Sequence, residues 1–377
     1  MIVPPRRDRA DAASRRRLAV FLPSLVGGGA ERAALKLAGG LADRGHAVDL
    51  LLATANGPLL AAVPPNVRVV DLGAARVLRA LPRLARYLRR DRPAALAAFL
   101  NHANIVALWA RALARSDCRI VVVEQNTLSE TGANGSTRRD RLMPAVATRF
   151  YPWADYVVGV SADVVDDLAA VTQVRRDRLR VIFNPIVADD LIAKAQSSPG
   201  HPWLTDTIPV FVAAGRLRPQ KDFSTLLRAF AMLRASRRAR LVILGEGPDR
   251  SELLGLAAAL GVADDVAFPG FSDNVYAYMA HAAAFVLSSR WEGLPTVLVE
   301  ALACGAPVIA TDCPSGPREI LAGGRYGRLV PVGDADALAS AMRAAVDGEI
   351  GPPPEESWRR YEVGAVVDRY LEVMVGP

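Results

Sequence analysis

Short runs of apolar, often β-branched residues alternate along this chain with longer stretches whose apolar positions recur every three or four residues. The runs fall at 18–22, 47–53, 67–70, 94–99, 120–123, 156–160 and 180–183. Helical spacing separates most of them, as at 31–44 and 163–171. Runs this short and apolar predict strands buried on both faces, and the periodic stretches predict amphipathic helices. The stretch Ser197-Ser198-Pro199-Gly200-His201-Pro202 reads as a linker, after which alternation resumes at 210–214, 241–244, 266–268, 285–288 and 308–311. Strand–helix alternation implies parallel sheets covered by helices on both faces. Two such blocks predict an α/β chain of two doubly wound, Rossmann-like domains facing across a cleft. The expected bounds are a disordered basic tail at 1–17, a first domain at 18–200 and a second at 206–350. Gly351-Pro352-Pro353-Pro354 breaks the second block, and a last helix is expected within 356–377, free to cross back to the first. Right-handed crossovers place functional loops at the carboxyl ends of the strands, so a shared site is expected in the cleft.

Length agrees with two domains: 377 residues at roughly 150 per domain. No apolar run approaches the roughly 20 residues needed to cross a bilayer. Arg15-Arg16-Arg17 ahead of the apolar stretch 18–26 imitates a secretory signal, but Pro23 interrupts it and Gly27-Gly28-Gly29 opens a helical pattern. A core strand entering a glycine turn accounts for the same residues. The three cysteines, Cys118, Cys304 and Cys313, are odd in number and lack metal-ligand spacing, so a cytoplasmic protein with reduced thiols is expected. Net charge is +7, and only three of the 46 basic residues are lysine: Lys36, Lys194 and Lys221. That balance favours phosphates or a membrane surface. No nucleic-acid motif is present.

The densest chemistry lies in Ser288-Ser289-Arg290-Trp291-Glu292-Gly293-Leu294-Pro295-Thr296-Val297-Leu298-Val299-Glu300-Ala301. A strand ends there, a loop follows, and Pro295 suits a first helical turn, where its missing N–H is not needed. Free amides near Gly293, Leu294 and Pro295 would form an anion-binding helix start. Glu292 and Glu300 stand eight residues apart, roughly 12 Å along a helix. That separation suits hydroxyls at two ends of one extended ligand and argues against an acid/base couple on one bond. Taken alone, the two glutamates read better as solvated helix charges. Upstream, Gly215-Arg216-Leu217-Arg218-Pro219-Gln220-Lys221-Asp222 again joins a strand to a helix, with Asp222 as N-cap. An arginine fork at Arg216 and a point charge at Lys221 suit a pyrophosphate, or else form a solvated basic loop.

In this order, these segments resemble the retaining glycosyltransferases of family 4, which have the GT-B fold. The match includes Leu241-Val242-Ile243-Leu244-Gly245-Glu246-Gly247-Pro248, Phe268-Pro269-Gly270-Phe271, Glu292-x7-Glu300, Ala303-Cys304-Gly305-Ala306-Pro307 and Ser315-Gly316-Pro317-Arg318-Glu319-Ile320. The resemblance implies that Glu300 holds the ribose, Glu292 the transferred hexose, and Arg216 with Lys221 the pyrophosphate of a nucleotide sugar. It places the base near Gly245, Gly270 and Phe271. It implies no metal and no cofactor, because protein cations take the role of a divalent ion. Transfer would retain anomeric configuration by a front-face path without a side-chain nucleophile. The implied reaction moves a hexose or N-acetylhexosamine, from a UDP-sugar, to a glycan or lipid-linked acceptor in cell-surface polysaccharide or glycoconjugate synthesis.

In the first domain, Gly27-Gly28-Gly29-Ala30-Glu31 resembles the family's glycine loop, with Gly28 and Gly29 near the donor. It is no dinucleotide fingerprint, because Arg32 replaces the last glycine. Many relatives carry a histidine after a strand where this chain reads Glu124-Gln125-Asn126-Thr127, so Gln125 and Asn126 stand there instead. His102, at another strand end, is a further acceptor-side candidate. His46, His201 and His281 read as structural or exposed. Asp334-Ala335-Asp336 imitates a metal-binding D-x-D but precedes a helical pattern, where capping is the better account. Arg76, Arg79, Arg83, Arg86 and Arg90 share one helical face opposite Val77, Leu81, Leu84 and Leu88, with Pro82 expected to shorten the helix. A basic amphipathic helix suggests peripheral contact with an anionic membrane, and reads at least as well as a solvated surface helix. Three alternatives remain. An epimerase needs acid/base groups around the hexose. A phosphorylase needs a lysine for a pyridoxal cofactor. A non-catalytic nucleotide-sugar-binding protein needs neither.

Overall fold

Residues 18–22 are completely shielded from solvent in the computed structural model, which describes residues 15–134 and 137–376. They belong to β1 (Arg17–Leu22) of a seven-stranded sheet. Its other strands are β2 (Ala47–Leu52), β3 (Val67–Asp71), β4 (Ala95–Phe99), β5 (Arg119–Glu124), β6 (Tyr156–Gly159) and β7 (Leu179–Val181). The order is β3-β2-β1-β4-β5-β6-β7, every pairing parallel. A second sheet holds β8 (Val210–Ala214), β9 (Arg240–Leu244), β10 (Val266–Gly270), β11 (Ala284–Leu287), β12 (Val308–Thr311) and β13 (Arg328–Val330). Its order is β10-β9-β8-β11-β12-β13, again parallel throughout. The inner strands are almost wholly apolar because helices cover both of their faces. The second core is built on Phe211, Phe230, Ile243, Val286, Ile309 and Met342.

The chain divides into two compact units, 15–185 with 363–376, and 186–362. The expected boundary at 200 lies inside the second unit, where the helix Asp189–Ala195 packs on Val275–Ala280 and Asn274 donates to the Lys194 carbonyl at 3.0 Å. Residues 1–14 of the expected tail lie outside the described residues, while Arg17, also assigned to it, opens β1. The last helix starts at Val363, later than expected. Residues 355–361 form 3-10 turns of the second unit, and the Tyr361 carbonyl accepts from the amides of Ile186 and Val187. Helix Val363–Val375 lies against Gly29–Asp43 in the first unit. Gly40 permits that approach, since a Cβ there would sit 2.5 Å from Val367 Cγ2.

Strand β13 has no counterpart among the expected strands. It is three residues long and begins with a charge, so its pattern is too brief to read. The basic segment is also not one helix: a 3-10 turn Val77–Ala80 leads into helix Leu81–Asp91, and Pro82 starts that helix instead of shortening it. Leu84 and Leu88 are buried, and all five arginines of the face are exposed. Among the described residues, no helix is long and apolar enough to cross a membrane.

Candidate functional site

Strand order singles out one place in each unit. In the second sheet the chain runs outward from β8 in both directions, so the loops after β8 and β11 part at a topological switch point, where doubly wound sheets bind ligands. The loop after β8 carries Arg216 and Lys221, and the loop after β11 carries Glu292. The fold therefore brings together residues 71 apart in sequence: Lys221 Nζ donates to Glu292 Oε1 at 2.5 Å. Their side chains are 16% and 9% exposed, so the pair is largely desolvated.

Backbone and side-chain bonds fix this pair from both sides. Ser289 Oγ donates to the same Glu292 oxygen at 2.6 Å, and Thr311 holds the Ser289 carbonyl at 2.6 Å. Ser288 Oγ donates to the Lys221 carbonyl at 2.7 Å. Gln220 Nε2 donates to the Trp291 carbonyl at 3.0 Å, and the Arg290 amide donates to the Gln220 carbonyl at 2.8 Å. Asp222, in a left-handed conformation at φ 46°, caps helix Phe223–Arg234 and pairs with Arg290 at 3.1 Å. Glu292 Oε2 makes no hydrogen bond to a described residue, so one carboxylate oxygen can accept a hydroxyl. Arg216 is exposed and makes no hydrogen bond or ion pair with a described residue.

The segment after Glu292 runs through Gly293 and Leu294 to Pro295, which is the residue just before helix Thr296–Ala303 and not its first helical residue. The amides of Gly293 and Leu294 bond no described residue, while the Gly293 carbonyl accepts from Ser315 Oγ at 2.9 Å. Gly316, at φ 96°, passes close enough that a Cβ would lie 2.5 Å from Pro295 Cδ. Glu300 lies in the second turn of the helix and is 8% exposed. Glycines also knit the loops after β8, β9 and β10. The Gly215 amide donates to the Leu244 carbonyl at 3.0 Å, and the Gly245 amide to the Gly270 carbonyl at 2.8 Å. Gly245 has φ 130°, and a Cβ there would stand 2.0 Å from the Gly215 carbonyl oxygen. Gly270 lies beside Glu246, and Phe271 is 67% exposed. All three thiols are pushed up to about 12, in each case chiefly by burial, with the charge of Glu300 adding at Cys304 and that of Glu292 at Cys313. None is a ready nucleophile. Asp334 caps helix Ala335–Val346, accepting from the Ala337 amide at 2.8 Å, so the D-x-D imitation is a helix start.

The remaining candidates belong to the first unit, whose switch point lies between β1 and β4. Gly28 is the N-cap of helix Gly29–Asp43, and a Cβ on it would meet the Glu31 carboxylate at 2.3 Å. His102 lies in the first turn of helix Asn101–Ala114, after β4. Gln125 and Asn184 exchange side-chain bonds, at 2.8 and 3.3 Å, and Asn126 is exposed. Gln125 is thus held in place, which suits positioning and not proton transfer.

Sequence reasoning missed the support around Gln125. Glu124 is fully buried and accepts from Tyr151 Oη and from Asn104 Nδ2, the latter at 3.0 Å. Burial pushes its carboxyl up to about 7, outweighing those two hydrogen bonds, and the Asp167 charge adds to the rise. Its Oε2 and Asn104 Oδ1 are buried without a hydrogen-bond partner among the described residues. A raised folded-state value means stability that is full below the ordinary value of 4.5 and lost as pH rises through about 7. Wild-type melting temperature is therefore expected to fall relative to Glu124→Gln across that window. Parallel curves from pH 4 to 8, read by circular dichroism, would contradict the assignment. Ser289, by contrast, was legible only as part of a motif; nothing in sequence says which oxygen it bonds.

Residues 27–190 match the family described as Glycosyltransferase Family 4, and residues 203–362 match Glycosyl transferases group 1. The chain is 30% identical over 251 residues to an N-acetylgalactosamine-N,N'-diacetylbacillosaminyl-diphospho-undecaprenol 4-alpha-N-acetylgalactosaminyltransferase of Campylobacter jejuni, covering 67% of this chain and 66% of that protein. It is 34% identical over 172 residues to the lipopolysaccharide core biosynthesis glycosyltransferase LpsE of Rhizobium meliloti, covering 44% of this chain and 49% of the relative. The aligned stretches thus span about two thirds and half of these relatives. Among solved structures, a glycosyltransferase from Rickettsia africae superposes with TM-score 0.78 at 16% identity, covering 96% of this chain and 98% of that one. The HepE protein of Anabaena, in complex with UDP and glucose, superposes with TM-score 0.72 at 20% identity, covering 96% and 95%.

Proposed function

The chain belongs to the family 4 glycosyltransferases of the GT-B fold, and from that premise we propose that it moves a hexose or N-acetylhexosamine from a UDP-sugar to a glycan or lipid-linked acceptor, with retention of configuration and without a metal ion. The observation that carries this reading is the Lys221–Glu292 pair at 2.5 Å on adjacent switch-point loops. Lys221 and the unpaired Arg216 supply two cations for a pyrophosphate, and the free oxygen of Glu292 accepts a hexose hydroxyl. Glu300, on the following helix, serves the ribose. As the sugar leaves, charge develops on the diphosphate, and cations already fixed in place stabilise it without reorganising. The high thiol values support a path without a cysteine nucleophile. Acceptor recognition falls to the first unit. The choice of UDP follows the Anabaena structures, which hold UDP and UDP-glucose.

A thermal-shift screen of UDP-, GDP- and ADP-sugars tests the donor. A ligand at about 100 times its Kd adds roughly 2.7 kcal/mol to the native state. UDP-sugars are expected to raise the melting temperature by several degrees, and the others by far less. Equal shifts with all three, or none, would remove the UDP assignment. Product formation with a labelled donor separates a transferase from a protein that only binds.

A further inference from the structure

The first unit contains a cavity of about 670 Å³ at its own switch point, bounded by residues following β1, β2, β3 and β4. That volume falls within the roughly 300–1,000 Å³ usual for small-molecule sites. Its walls are mainly Val26, Val77, Leu78, Ile105, Val106 and Trp109. Polar side chains are the minority, namely Ser24, Thr54, Asn56, Arg76 and His102, and Thr54 Oγ1 already donates to the Ala74 carbonyl at 2.6 Å. A sugar placed against the apolar walls would leave the hydroxyls facing them unpaired, at a cost that hydrocarbon does not incur. Val26 and Leu78 are 56% and 60% exposed, so the cavity opens to solvent past apolar side chains. Arg76 lines the same cavity, and Arg79 follows it one turn later. Both side chains are exposed, and neither guanidinium makes a hydrogen bond or ion pair with a described residue. An apolar cavity beside unneutralised arginines fits one kind of occupant, a hydrocarbon chain carrying an anionic head.

We propose that this cavity receives the chain of a lipid phosphate or diphosphate acceptor, with Arg76 taking its charged head. This deepens the transferase reading and rests on it only in assigning the lipid the role of acceptor. Farnesyl diphosphate is the isoprenoid probe, lysophosphatidic acid the acyl probe, and farnesol and inorganic pyrophosphate the tail-only and head-only controls, all below their micellar concentrations. One of the two chains is expected to bind saturably to the full-length protein by calorimetry and to change tryptophan fluorescence. Trp109→Phe should remove most of that optical change. Ala75→Trp, at an exposed position lining the cavity, should weaken the binding about tenfold or more. Arg76→Ala should weaken the charged lipid by about tenfold and leave farnesol unchanged. Binding of neither chain, equal affinity of Ala75→Trp and wild type, or an affinity for the charged lipid unchanged by Arg76→Ala would each overturn the proposal. Transfer to a soluble glycan by a protein that binds neither chain would overturn this cavity assignment and leave the transferase reading intact. Chain binding by a protein that transfers nothing would overturn only that reading.

Discussion

Lys221→Ala is expected to lower kcat/KM by about 10²–10³, the scale seen when one fixed electrostatic donor is removed from a developing charge. Two losses combine in this variant. The leaving diphosphate loses a cation, and Glu292 is left largely buried with Ser289 as the only remaining donor to its carboxylate among the described residues. Truncating one partner of a desolvated pair leaves the other uncompensated, so the melting temperature should fall as well. Arg216→Ala provides the comparison that separates these effects. Arg216 is exposed and unpaired, so its loss should reduce kcat/KM by a similar order while leaving stability near wild type. Glu292→Gln keeps the shape but removes the negative charge, and should likewise be strongly impaired with a labelled UDP-sugar. Near-wild-type turnover in both Lys221→Ala and Arg216→Ala would remove the pyrophosphate assignment.

The second large effect is expected from a single methyl group. Gly245→Ala places a Cβ 2.0 Å from the Gly215 carbonyl oxygen on a backbone at φ 130°. Neither the strand end nor the Gly215 loop can keep its position, and strain plus overpacking of this kind costs about 1–3 kcal/mol each. The urea midpoint should drop, and UDP affinity, read by calorimetry, should fall about tenfold because the loop carrying Arg216 moves. Gly255→Ala is the control. Gly255 lies within helix Arg250–Ala259, and a Cβ there meets nothing within 4 Å. That change should stabilise by about 0.5–1 kcal/mol through helix propensity. If Gly245→Ala behaved like the control, the loops after β8 and β9 would not be locked as described.

The sequence by itself determined the two parallel-sheet units, because strands buried on both faces are written as continuous apolar runs flanked by 3.6-residue periodicity. It also placed Arg216, Lys221 and Glu292 on loops after strands and Glu300 in the helix that follows, because glycines and prolines at strand ends mark turns in such sheets. It misread the features that depend on tertiary contact. The chain divides after Pro185 because 186 and 187 bond the Tyr361 carbonyl, a partner far away in sequence. Strand β13 exists only because β12 offers it a ladder. Glu124 looked like a loop neighbour of Gln125, yet burial beside Tyr151 and Asn104 turns it into a group that titrates near neutrality. The ordering of the site belongs to the same class. A local pattern can place a lysine and a glutamate on two loops, but only the adjacency of β8 and β11 brings Lys221 Nζ to within 2.5 Å of Glu292 Oε1, because strand order is a long-range choice that no short window of sequence encodes.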